Sequence, residues 1–232
     1  MRVAIHQPNF LPWLGFFHKM LDSDIFVLLD DALYPQSKSF CNHAGIKTGN
    51  GELALTIPTV SIGEQQPINE VLMAVHRGWQ SKMLKSIRYA YSKTKYFDQL
   101  FPILNLLSST PMPRLLDINV PLLRWIHGVL GLSPTLILSS DVAETRGLLG
   151  VEKIMGLLTS LKATEYISGT GAGSKRYIRE EDFAEAGIKL TWQDFTHPTY
   201  EQQYGDFVHG LSVIDVLFNC GPDHTRSMLE NA

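Results

Sequence analysis

The side chains able to do chemistry gather in a few short stretches. The first is HQPNFLPWLGFFHKM, residues 6–20. His6 follows the apolar run RVAI, and a neutral imidazole can hydrogen-bond phosphate or carboxylate oxygens, more strongly once protonated. Gln7 and Asn9 add uncharged donors on the same turn. Asp30 and Asp31 end a second apolar run, IFVLLDD. A carboxylate there can hold Mg²⁺ with a nucleotide, orient an amine, or take its proton. Side chains alternate along a strand, so one aspartate is expected to face a site while the other caps a turn.

Further along, CNHAGIKTGNG offers Asn42 and Lys47. It reads either as a substrate loop with one cation for phosphate or carboxylate, or as a polar surface loop before an Asn-Gly turn. HRGWQSK supplies Arg77 and Lys82, suited to a diphosphate or to solvent. SGTGAGSKRY, from Ser168, places Gly169, Gly171 and Gly173 after a strand pattern, with Lys175 and Tyr177 beyond. Glycines let successive backbone N–H groups converge on an anion. The spacing is neither Walker A nor Gly-x-Gly-x-x-Gly. Near the C-terminus, TWQDFTHPTY carries Asp194 and His197. There is no Gly-x-Ser-x-Gly elbow and no histidine pair at metalloprotease spacing, so neither a serine triad nor a dedicated metal site is indicated.

Elements must position these groups. RVAIH, LGFFHKMLDS and IFVLLDD read strand, helix, strand, a βαβ unit with strands covered on both faces. ELALTIPTV and INEVLMAV read as two further strands. A mainly helical insert is expected at about 77–131, with Pro102 and Pro121 at kinks or first turns. TLILSSD, EYISG and IKLTWQDF read as strands separated by helices, and LSVIDVLFNCG as a closing apolar helix. The expected fold is α/β, one domain over 1–232, with a mostly parallel Rossmann-like sheet. Ligands of such sheets gather at the carboxyl ends of the strands, where His6, the aspartates and the 168–175 loop would meet.

Composition narrows the function classes. The 232 residues carry a net charge of −3, which provides no broad basic field for nucleic acid. Cys41 and Cys220 are the two cysteines and form no Cys-x-x-Cys pair, so a reduced, cytoplasmic setting is expected. The opening residues lack the basic head and apolar run of a signal peptide, and no apolar stretch is long enough to span a membrane.

IHQPNFLPWLGFFHKM, DIFVLLDD and NHAGIKT resemble the opening of the WbqC-like family. The likeness continues through RGWQSKMLKSIRYAYSKTKYFDQLFPIL, TEYISGTGAGSKRYI, EAGIKLTWQDFTHPTY and LSVIDVLFNCGP. The resemblance implies association with bacterial O-antigen and lipopolysaccharide gene clusters, where some members are named as glycine or aminoacyl transferases acting on amino sugars. It favours Asn42 and Lys47 over His43 as functional residues. A weaker similarity runs to nucleotidylyltransferases and pantothenate synthetases. Their His-x-Gly-His turn is matched at Gly15 alone, since Trp13 and Phe16 stand where the histidines would be.

The expected function is therefore a transferase or ATP-dependent amide ligase. It would join an aminoacyl or acyl group to the amine of a nucleotide-linked amino sugar. The small-molecule partners would be that sugar and an amino acid, with ATP and Mg²⁺ as the cofactor pair if activation is needed. His6, Asp30 and Asp194 are the expected catalytic residues. Gln7, Asn42, Lys47, Arg77, Lys82, Ser168, the three loop glycines, Lys175, Tyr177 and His197 are the expected binding residues. A nucleotidylyltransferase-like enzyme, a non-catalytic nucleotide- or sugar-binding partner, and a homo-oligomer remain open at this point.

Overall fold

The computed structural model describes every residue except 36–38, 62, 64, 75–77, 110–112, 172–173 and 176–177. Its strands are β1 (Arg2–His6), β2 (Ile25–Leu28), β3 (His43–Thr48), β4 (Gly51–Thr56), β5 (Thr135–Leu138), β6 (Glu165–Ser168) and β7 (Lys189–Trp192). Five form one parallel sheet in the order β5-β2-β1-β6-β7, and β3 and β4 form an antiparallel hairpin. Eight α-helices stand among the described residues: α1 (Leu14–Leu21), α2 (Trp79–Tyr91), α3 (Phe97–Ser109), α4 (Leu116–Val129), α5 (Gly150–Ser160), α6 (Glu180–Glu185), α7 (Val213–Cys220) and α8 (Pro222–Glu230). The fold is α/β and Rossmann-like.

The layering follows from the handedness of parallel crossovers. The chain moves outward from β1 to β2 to β5, then returns to β6 and β7 on the other flank of β1. Right-handed connections therefore put the two sets of helices on opposite faces. Alternate residues of the strands divide between the layers. Ala4, Phe26, Leu28 and Ile167 share a core with α1, the three middle helices and α7. Val3, Ile5, Val27 and Tyr166 pack with Leu157, Leu158 and Phe183 from α5 and α6. This two-sided burial explains why the β1 and β2 sequences are apolar rather than alternating.

Several elements differ from the sequence expectation. CNHAGIKT is not a loop: residues 43–48 form β3, closed onto β4 across Thr48↔Gly51, with Gly51 at φ 96. Among the described residues of INEVLMAV there is no strand: Ile68–Glu70 is a 3-10 turn, followed by the single bridges Thr59↔Met73 and Leu72↔Arg114. Of the two placements expected for Pro102 and Pro121, the first turn does not hold: both lie inside their helices, α3 and α4. Pro102 is exposed, so the Asp98 carbonyl it cannot serve is free to meet water. Helix α8 has no counterpart in the expectation. Its signal was Gly221-Pro222, a stop glycine at φ 82 followed by a proline at the first helical position.

A buried polar cluster ties the hairpin to the helical layer. Tyr91 Oη donates to Asp215 Oδ1 at 2.7 Å, and Tyr200 Oη donates to Asp215 Oδ2 at 2.8 Å. Tyr91 Oη also accepts from the Lys47 backbone N–H at 3.1 Å. Burial raises the Asp215 pKa, while the two hydroxyl donors oppose that rise. Tyr91→Phe removes one donor from a buried carboxylate and orphans a buried N–H. It should cost about 1–3 kcal/mol in urea unfolding. Tyr89→Phe, at a ring 78% exposed, should leave the midpoint unchanged.

Candidate functional site

Strand order reverses between β1 and β6. Loops leaving these neighbours turn to opposite faces, and the crevice between them is where parallel sheets of this order take ligands. The parallel register of β1 and β6 pairs Ala4 with Ile167; carried two residues on, it sets His6 beside Gly169. Leu29 N–H donates to His6 O at 2.8 Å, and Gln193 N–H donates to Ser168 O at 2.7 Å. His6, Gln7, Ser168, Gly169, Gln193 and Asp194 thus share one edge of the sheet.

Beneath this edge lies Lys19, which the sequence reading did not single out. It sits on α1, 3% exposed, and its Nζ donates to Ile5 O at 2.9 Å. Two other lysines are comparably buried. Lys153 Nζ has the Asp31 carboxylate at 2.5 Å and Thr145 O at 3.0 Å. Lys47 Nζ donates to the carbonyls of Gly205 and Asp206. Lys19 has one carbonyl and no carboxylate. Desolvation without a counter-charge lowers its pKa to about 7. The available signal was a lysine inside LGFFHKML, where every residue but the last is buried.

His6 is half-buried but densely enclosed. Desolvation first, then the positive charge of Lys19, push its pKa down to about 3, against a weak opposing hydrogen bond to Gln7 O. It is therefore a neutral imidazole near pH 7. Its ring meets Phe16 edge-on at 4.8 Å. On the far side, Gln193 Nε2 donates to Gly15 O at 2.7 Å and lies 3.2 Å from His18 Nδ1, fastening the end of β7 to α1.

The opening turn shows why its composition is unusual. Leu11 has φ 39, a strained value for a leucine, and is buried immediately before Pro12. Trp13 is 39% exposed. Its indole lies over Gly15, where a Cβ would come within 2.6 Å of the ring. It also stacks on His197 with centroids 6.1 Å apart and 14° between planes. His197 is held by Pro198 O and by Gly210 N–H, and partial burial lowers its pKa.

Asp30 and Asp31 sit past the last residue of β2, so strand alternation no longer applies, and both turn toward Ser139. Asp30 is 2% exposed and accepts from Ser139 Oγ, Ser140 N, Ser140 Oγ and Asn69 Nδ2. Asp31 meets Ser139 Oγ at 2.5 Å besides Lys153. Both carboxylates would have to give up internal partners before holding Mg²⁺. Asp30 also borders a groove of about 630 Å³ with Arg114 and Arg124. Asn42 Nδ2 donates to Ile57 O and its Oδ1 meets His43 Nδ1 at the base of the hairpin. Lys82 lines a separate groove of about 690 Å³ between the hairpin and α2, alongside Thr48 and Tyr89. Gly171 and Lys175 are exposed beyond β6, with Lys175 N–H donating to Gly171 O. Arg77, Gly173 and Tyr177 lie outside the described residues.

The model of the WbqC-like protein family matches residues 7–227. The chain belongs to the WbqC-like protein family. As a WbqC-like protein it is 33% identical over 234 residues to the uncharacterized protein Rv1507c of Mycobacterium tuberculosis, covering 97% of each chain. No solved structure matches it. No helix among its described residues is long and apolar enough to cross a membrane.

Two outcomes follow from the geometry of this WbqC-like chain. Between pH 7 and its ordinary value of 10.5, Lys19 is protonated in the unfolded chain and largely neutral when folded, so its contribution to stability rises with pH. From pH 7 to 8.5, wild type should gain stability relative to Lys19→Met by up to about 1.4 kcal/mol per unit. Urea titrations at fixed pH values read the difference, and parallel curves would refute it. Gly15→Ala should cost about 1–3 kcal/mol against the Trp13 ring. In a Trp13→Ala background the same substitution should cost almost nothing, which a double-mutant cycle measures.

Proposed function

We propose that this WbqC-like protein transfers an aminoacyl or other acyl group to the amine of a nucleotide-linked amino sugar in bacterial surface-polysaccharide biosynthesis. The observation that carries the reading is the convergence of His6, Gln7, Ser168, Gly169, Gln193 and Asp194 on the crevice where strand order reverses. The association of the family's resemblance with O-antigen clusters supplies the substrate class. In this reading the nucleotide phosphates lie against the end of β6, and the amine nitrogen attacks the acyl carbon. The bond to the acyl leaving group breaks, and the amine proton passes to Asp194, which is exposed at the end of β7. With a free amino acid as donor, ATP and Mg²⁺ would first convert its carboxylate to an acyl phosphate or adenylate. Positioning and charge stabilisation would supply most of the rate. His6, neutral near pH 7, is a hydrogen-bonding group here rather than a strong base.

The commitment of Asp30 and Asp31 to internal partners favours one other reading, a nucleotide-sugar-binding partner without catalysis. Incubation with nucleotide-linked amino sugars, glycine and ATP with Mg²⁺, followed by mass spectrometry, separates the two. An acylated sugar product supports the transferase, whereas calorimetric binding with no product supports the partner. Lys175→Ala should weaken nucleotide-sugar binding by about tenfold or more without changing the melting temperature, because a charge-assisted contact contributes about 1.5–3 kcal/mol. Unchanged affinity would assign Lys175 to the solvated surface.

A further inference from the structure

The geometry points to Lys19 as the residue that receives the ligand's anionic group, a phosphate or a carboxylate, through the gap left by the missing side chain of Gly169. This rests on the reading of the β1–β6 crevice as the substrate site. An ammonium carries three donors. Lys19 Nζ uses one on Ile5 O, and no second acceptor is present among the described residues. The two other buried lysines differ in this respect: Lys153 has a carboxylate and a carbonyl, and Lys47 has two carbonyls. A buried ammonium with neither a counter-charge nor a full set of acceptors is costly, and an arriving anion supplies both.

Access is set by one residue. Gly169 is only partly buried and is the first residue beyond β6, next to the amine. A Cβ built there would lie 4.0 Å from Lys19 Nζ and 3.9 Å from Ser174 Oγ. Those are ordinary contacts, so the fold would accept alanine. The methyl would nonetheless occupy the space from which an anion's oxygen would reach Nζ. His6 stands beside the same amine as a neutral ring, so it adds no competing charge while offering a hydrogen bond. The lowered pKa of Lys19 fits a group that takes up its full charge only when an anion is bound.

Calorimetric titration at pH 7 tests this on the full chain with two probes, uridine diphosphate for the phosphate and glycine for the carboxylate. Lys19→Met and Gly169→Ala should each weaken one of these at least tenfold. Loss of uridine diphosphate assigns Lys19 to a phosphate; loss of glycine assigns it to a carboxylate. Affinities within twofold of wild type for both probes in both variants would overturn the inference, as would a wild type that binds neither. Should Lys19→Met fail to fold, Gly169→Ala decides alone. Lys19-dependent binding with no acylated sugar from any donor would remove the transferase reading and keep this one. Product formation with undiminished affinity in both variants would do the opposite.

Discussion

The position of β1 governs everything else. It is the central strand, paired on one edge with β2 and on the other with β6, and covered on both faces. Its three middle residues, Val3, Ala4 and Ile5, are buried, and polar side chains stand at its two ends: Arg2 at the first residue and another at the last, where the sheet ends and the crevice begins. His6 is that residue. The chain reverses its direction of travel about β1, so the loops after β1 and β6 diverge, and the gap between them is a consequence of topology rather than of any one side chain. The carboxyl ends of β2, β5 and β7 fall on the same edge because every pairing in the sheet is parallel.

The chain makes an unusual choice. It buries three lysines and neutralises them to different degrees. Lys153 and Asp31 clamp the end of β2 to α5, and Lys47 secures the 205–206 turn against the hairpin. Both are anchors with their donors engaged. Lys19 lies in the same kind of interior with one acceptor, and its charge depresses the neighbouring imidazole as well. Folding alone would favour leucine or methionine at this position of an apolar helix. A site for an anion gives the amine a reason to be there.

The sheet was readable because its strands are short apolar runs between turn residues, and because βαβ order leaves few topologies. The edge of the sheet was readable for the same reason: His6, Ser168 and Gly169 needed only strand ends to be located. The hairpin was not. HAGIKT mixes polar and small residues, and its strand character comes from cross-strand bonding to β4 and from the cover of α2 and α7, which local sequence does not record. The partners of polar side chains were not readable either. Asn42 and Lys47 hydrogen-bond to backbone carbonyls, and whether a polar side chain meets protein or ligand depends on distant chain. Lys19 was hidden for the converse reason. A lysine on an amphipathic helix normally lies on the wet face, and this helix has almost none. Leu11 carried no signal at all, since its left-handed backbone is imposed by tertiary contacts.

Those contacts converge on the opening turn. Phe10 N–H donates to Phe40 O at 2.8 Å, and Val213 N–H donates to Pro12 O at 2.8 Å. Asn119 Nδ2 donates to Pro8 O at 2.8 Å and to Cys41 O at 2.7 Å. The residue before Val213 reaches the hairpin, with Ser212 N–H donating to Gly45 O at 2.8 Å. Three separate parts of the chain therefore hold one turn whose prolines already restrict it, which is what a strained leucine requires in order to persist. The same segment runs back through Tyr200 to Asp215 and through Gln193 to α1. The β1 side of the crevice is thus bounded by backbone held in place by the rest of the chain, so little ordering cost on that side would be set against binding there. Trp13 differs on that rim: its ring is 39% exposed and is held by packing alone, stacked on His197 and edge-on to Phe195.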